Sequence, residues 1–154
     1  MAIEKVREYF RQLGIEDRIQ EFDVSSATVE LAAQALGCEE AKIAKSIALK
    51  LSSGCILIIA AGDVKISNPK FKEEFGEKAK MLSFEEVEPS IGHAVGGVCP
   101  FAVNSGVKIY LDASLKRFDT VFPACGSSNS AIELSIEELE KYCSFEKWVD
   151  VCKE

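Results

Sequence analysis

The 154 residues are enough to bury a core without covalent staples, and 47% hydrophobic against 28% charged residues is the balance of a folded chain rather than a disordered one. A net charge of −7 argues against a protein that coats DNA or other nucleic acid non-specifically, because phosphate binding relies on lysine and arginine. No apolar run approaches the roughly 18 to 20 residues of a membrane-crossing helix, and residues 1–8 carry charges where a signal peptide is apolar, so the expectation is a cytoplasmic protein with no membrane partner.

In chain order, Ile3, Val6, Phe10 and Leu13 recur at helical spacing and Gly14 stands where that helix should end. A short strand is expected over residues 18–22. Ser25-Ser26-Ala27-Thr28 supplies capping hydroxyls for a helix carrying Val29, Leu31, Ala32, Ala35 and Leu36, which Gly37 stops. Residues 46–51 and 55–61, joined by Ser52-Ser53-Gly54, read as a β-hairpin whose second strand is apolar on both faces and therefore central. Asn68-Pro69 opens a helix with Asn68 as cap, and Ser83-Phe84-Glu85-Glu86 and Ser135-Ile136-Glu137-Glu138 have capping-box form. Residues 107–111, 118–122 and 131–134 read as further strands. The order predicts one α+β domain over 1–154, with a mixed, largely antiparallel sheet flanked by helices.

Residues 92–101 gather Gly92, Gly96, Gly97, the sole histidine His93 and Pro100. Glycine lets a ligand approach the main chain closely, so the segment reads as a binding loop, and equally as a structural turn. The six cysteines are dispersed with no Cys-x-x-Cys pair, which predicts reduced thiols, no metal site and no cofactor. Between residues 42 and 80 eight lysines face four acids, a local anion-facing surface or a solvated lysine-rich face.

Several of these parts, in order, resemble the YbaK-type, prolyl-tRNA-synthetase-associated editing domain family. They are the Ser25–Thr28 helix start with Ala32-Ala33, Ala44-Lys45-Ser46 before a hydrophobic strand, Ala61-Gly62-Asp63 after its partner, Gly92-His93, the Gly-x-x-x-Pro element from Gly96 to Pro100, Tyr110-Leu111-Asp112, and Ala124-Cys125-Gly126-Ser127. The resemblance implies a partly barrel-like sheet and hydrolysis of mischarged aminoacyl-tRNA. It further implies a free-standing, metal-independent deacylase of the tRNA-Pro system, with the tRNA acceptor end as partner and an aminoacyl-tRNA synthetase as a further one. An aminoacyl ester is already activated, so its hydrolysis needs a placed water and a polarised carbonyl more than a strong nucleophile.

By the same resemblance Lys45 is the functional lysine, and Gly96 and Gly97 supply backbone groups to the reacting centre. Ser46, Pro100 and the Gly126-Ser127-Ser128 loop line the substrate site, although Ser46 reads equally as an ordinary strand residue and the loop equally as a plain turn, and Phe22, Val29, Ile47 and Phe101 are candidates either for its walls or for the core. Two departures leave the amino acid removed open: the last loop lacks the histidine of synthetase-embedded and alanine-editing relatives, and Ala102 stands where many relatives have glycine. Three other readings compete: Cys99 or Cys125 with His93 as thiol and base of a cysteine-dependent hydrolase, Asp63 with Asp112 as an acid/base pair, and a non-catalytic tRNA- or synthetase-binding module.

Overall fold

The computed structural model describes residues 2–154. Helix α1 (Ala2–Leu13) buries Val6 and Phe10 completely and gives way at Gly14. The strand expected over 18–22 shrinks to β1 (Gln20–Glu21), because Glu16–Arg18 form a 3₁₀ turn and the exposed Gln20 and Glu21 offer no apolar face to extend the pairing. Helix α2 (Val29–Leu36) is capped by the Thr28 hydroxyl, which accepts from Leu31 N at 3.2 Å, and is closed by left-handed Gly37.

Strands β2 (Ile43–Leu51) and β3 (Gly54–Ala61) form the expected antiparallel hairpin, with Lys45 opposite Ala60 and Leu51 opposite Gly54. Strand β4 (Lys65–Ile66) leads into α3 (Asn68–Phe75), where the cap position is Ser67 and Asn68-Pro69 occupy the first turn. Helix α4 (Phe84–Ile91) follows, its first turn fixed by Ser83 N–H donating to Glu86 Oε1 at 2.9 Å. Strands β5 (Lys108–Asp112) and β6 (Thr120–Pro123) come next, and the strand expected over 131–134 divides into β7 (Ser130–Ala131) and β8 (Leu134–Ser135). Helix α5 (Ile136–Tyr142) starts with a complete Ser135–Glu138 capping box. Two strands without a sequence expectation, β9 (Phe145–Val149) and β10 (Cys152–Lys153), end the chain.

The main sheet runs β8-β6-β2-β3-β5-β9 and curls into a half-barrel. It is mixed: β2–β3 and β6–β8 are antiparallel, while β2–β6, β3–β5 and β5–β9 are parallel. Two small antiparallel sheets, β1–β7 and β4–β10, close its flanks. The double-sided apolar character of β3 has the expected consequence. Leu57 and Ile59 enter a core shared with α1, α4 and α5, while Ile56 and Ile58 enter a second core with Phe71 of α3 and Val151. Among the described residues no helix is long and apolar enough to cross a membrane.

One local feature of this sheet positions the site. Strand β6 meets β2 only at Ile43 and Ala44, and the residue opposite Ala44 is Pro123, which has no N–H to carry the ladder on. Strand β2 regains a neighbour on that side only farther along, where Lys50 N–H donates to Lys80 O at 2.9 Å and Leu82 N–H to Ala48 O at 3.2 Å. Among the described residues, nothing pairs with the main chain of β2 between these points, so that edge is uncovered.

Candidate active site at the open edge of β2

A cavity of about 440 Å³ opens along that edge. Its floor is residues 44–48 of β2. Thr28, Val29 and Ala32 of the α2 start form one wall, Leu82 and Val87 another, and Phe122 and Ala131 a third, with Gly96 and Val98 of the glycine loop closing over them. The register settles which main-chain groups face it. Ala48 and Lys50 use their peptide groups on the side away from β3, so alternation along the strand turns the peptide groups of Ser46 to the same side, into the gap. The Ser46 hydroxyl is also buried without a hydrogen-bond partner among the described residues. An unpaired buried hydroxyl is unfavourable unless a ligand or water satisfies it.

Lys45 is the only charged side chain bordering the cavity among the described residues. Its Nζ donates to the carbonyls of Gly62, at 3.4 Å, and Val64. Those two bonds leave the third proton of an ammonium uncommitted. Burial is the main cause that lowers its pKa below the ordinary lysine value, with Cys152 and Asp63 acting in the opposite sense. Asp63 is itself held by Arg117 at 2.5 and 3.1 Å, which places its carboxyl below the usual range. The turn that receives Lys45 admits no side chain at position 62: a Cβ there would stand 2.1 Å from Glu40 O and 2.7 Å from Val29 Cγ1.

The two loops singled out in the sequence meet each other. Gly97 is buried against the backbone of the second loop, and a Cβ on it would lie 2.6 Å from Ser127 N and 2.7 Å from the Gly126 carbonyl carbon. Gly96 has a φ of 95° and borders the cavity beside Ala27. The second loop is fixed from its other side: Ser26 N–H donates to Ser128 O at 2.6 Å, and Phe22 and Asn129 exchange bonds of 2.8 and 3.0 Å. Ser127 Oγ bonds Asn129 Oδ1 and Ser130 Oγ at 2.9 and 2.7 Å. This zipper continues the β1–β7 pairing and holds the α2 start at the cavity.

Of the sequence candidates, Lys45, Ser46, Val29, Ile47 and Gly96 border the cavity. Gly97, Gly126, Ser127 and Ser128 lie outside the lining, where Gly97 packs on the Gly126–Ser127 backbone and Ser128 on the Gly96 side of the loop. Phe22 takes part through its main chain in the zipper and is not a wall. Phe101 is only 1% exposed and packs edge-on against Phe10 at 4.7 Å between ring centroids, so it belongs to the core rather than to a wall, and the buried Pro100 beside it is likewise outside the lining. Ala102, which follows, has a φ of 53°, the backbone conformation that glycine adopts without strain.

The competing constellations do not make a working site, although Cys99 Sγ does lie 3.5 Å from His93 Nε2. Cys99 is fully buried and its thiol is pushed up to about 12, chiefly by desolvation; Cys125 is raised for the same reason, and neither borders the cavity. His93 is buried with Nε2 at 2.7 Å from Phe101 O, a contact that requires Nε2 to carry the proton and so removes it as a base toward Cys99. Asp112 accepts from Ser114 N and Val151 N, both at 2.9 Å, and is a structural anchor rather than half of an acid pair. Among the described residues no three histidine, cysteine or acidic side chains converge in a metal-binding group. Sequence reasoning did not single out Met81, Leu82, Phe84, Val87, Val98 and Phe122 as wall residues. The signal available was Phe84, an aromatic at the first, outward-facing position of a capped helix.

Residues 23–142 match the family model for aminoacyl-tRNA editing domains. The uncharacterized protein YwhH of Bacillus subtilis (strain 168) is 50% identical over 155 residues, spanning 100% of this chain and 99% of that protein. Proline–tRNA ligase of Halalkalibacterium halodurans is 32% identical over 104 residues, which are 67% of this chain and 18% of the ligase; the chain thus corresponds to a minor part of that enzyme. A solved structure of a candidate trans-editing enzyme for prolyl tRNA synthetase has a TM-score of 0.87 and 25% identity, over 99% of this chain and 98% of that one.

Proposed function

The chain belongs to the aminoacyl-tRNA editing domain family, and from that premise we propose that it hydrolyses the ester joining a wrong amino acid to tRNA, in trans, on the proline system and without a metal. In this reading residues 1–154 act as one cytoplasmic editing domain, and the acceptor end of mischarged tRNA, with or without a synthetase, is its partner. The observation that carries the reading is an uncovered strand edge inside an apolar cavity that, among the described residues, holds one cationic side chain.

The ester's own activation sets what the protein has to supply. A small side chain occupies the apolar walls of Val29, Ile47 and Val98, where burial is worth about 25 cal/mol per Å². The Ser46 peptide and hydroxyl hold the polar part of the aminoacyl group and order the attacking water. Gly96 and Gly97 keep the loop main chain close enough to the carbonyl to take part. Lys45 stabilises the negative charge that develops on the carbonyl oxygen or holds the terminal phosphate, through its uncommitted proton. Water supplies the oxygen, the ribose hydroxyl leaves with a proton, and no covalent enzyme intermediate is needed.

The test is single-turnover hydrolysis by the purified protein of tRNA-Pro carrying alanine, cysteine, serine, threonine or 2-aminobutyrate, with and without chelator. Release of at least one amino acid, unaffected by chelator, is expected. Binding of these tRNAs with no release of any of them would overturn the enzymatic reading in favour of a binding module.

A further inference from the structure

Three of the six exposed large apolar side chains among the described residues, Met81, Phe84 and Val95, stand together on the cavity lining. Phe84 is the most exposed of the six, at 74%. A ring that exposed contributes little to the core, and its support is nevertheless rigid. Ser83 N–H is tied to Glu86 Oε1, Glu86 pairs with Lys50 Nζ at 3.0 Å, and Leu82 N–H is bonded to Ala48 O on β2. The main chain beneath the ring is thus fixed to the strand whose edge forms the cavity floor.

We infer that Phe84 is a stacking platform for the base of the nucleotide that bears the ester. This inference rests on the editing reading and extends it from the amino acid to the nucleoside. The amino acid and the base hang from the same ribose, so an aminoacyl group seated against β2 places the ribose at the mouth and the base just outside it. There the exposed ring offers a flat π-face, and the polarisable thioether of Met81 belongs to the lining of the same cavity. Charge supports the same occupant. Lys78 and Lys80 are exposed on the segment entering Met81 and have no acidic partner among the described residues, which suits the phosphates that follow the terminal nucleoside. Glu85 and Glu88 are exposed on α4, while Glu86 is neutralised by Lys50.

The experiment compares wild type with F84A, F84L and F84W, all at a position too exposed to threaten folding. Equilibrium binding of the trinucleotide CCA is measured alongside deacylation of the best mischarged tRNA. Loss of one base–aromatic stack predicts weaker CCA binding by about 5- to 150-fold in F84A. F84L, apolar but without a π-face, should stay well below wild type, and F84W should restore binding. In deacylation the F84A loss should fall on KM rather than kcat. Equal CCA binding by wild type and F84A, no CCA binding by wild type, or full rescue by leucine would each overturn the platform. A wild-type protein that binds CCA in a Phe84-dependent way yet releases no amino acid would sustain the platform and defeat the hydrolytic reading.

Discussion

Gly97→Ala tests whether the contact between the two cavity loops holds the site together. The added methyl would sit 2.6 Å from Ser127 N, 2.7 Å from the Gly126 carbonyl carbon and 2.9 Å from Gly126 O. Ordinary contact begins at 3.4 Å, so the loops must separate by about 0.8 Å, and because the obstructing atoms are backbone no side-chain rotation relieves it. Overpacking of this kind costs about 1–3 kcal/mol. For a chain of this length that corresponds to a fall in Tm of roughly 2–12 °C. The separation also moves Gly96 relative to the β2 edge, and a displacement of that size at a reacting centre lowers the rate by about 100-fold. Thermal unfolding and single-turnover deacylation on the same preparation read the two effects separately. An alanine variant with wild-type Tm and wild-type rate would refute the close-packed loop contact. A large loss of stability with full activity in the folded fraction would refute its link to catalysis.

Lys45→Ala should stay folded and lose about 100- to 1,000-fold in deacylation rate; because burial lowers the wild-type pKa, the wild-type rate should decline as pH rises through a value below the ordinary lysine 10.5, measured as an alkaline limb that the variant lacks. His93 is the only histidine and burial lowers its pKa, so the fold favours the neutral ring: its contribution to stability is complete above about pH 6.5 and is lost as pH falls through the lowered folded value. Denaturant midpoints between pH 7.5 and 5.5 should therefore fall for wild type and fall less for His93→Gln. Ala102→Gly should raise stability by about 0.5–1 kcal/mol, since relief of left-handed strain exceeds the extra freedom given to the unfolded chain; an unchanged or lower Tm would contradict the φ of 53°.

What the sequence revealed was local. Thr28, Gly37 and the Ser135–Glu138 box act through neighbours a few residues away, so their pattern is complete on the page, and the 46–61 hairpin needs only its turn and its apolar runs. The parallel neighbours β3–β5 and β5–β9 were hidden because each depends on a distant partner. Strand β9, Phe-Glu-Lys-Trp-Val, has two exposed charges in its middle and carries no buried-strand signature of its own. At the site, Lys45, Ser46 and the glycine loop were legible as motif positions. The gap that gives them a cavity was not, since it arises where Pro123 ends one pairing and Met81 opposite Leu49 begins another. Phe101 stayed open between wall and core for a similar reason: a conspicuous aromatic after Pro100 identifies a loop, and only packing against Phe10 and Tyr9 shows which way it turns.

The floor of the cavity is main chain, and its walls are side chains. Substitution can exchange Val29, Ile47, Val87 or Val98 for residues of other size and polarity, but it cannot delete the amide and carbonyl that Ser46 contributes as a link in the backbone. The site therefore has a part open to drift and a part that persists as long as β2 stays paired on one side and bare on the other. A protein arranged in this way can change its choice of guest by altering the walls one residue at a time, with the floor remaining in place throughout.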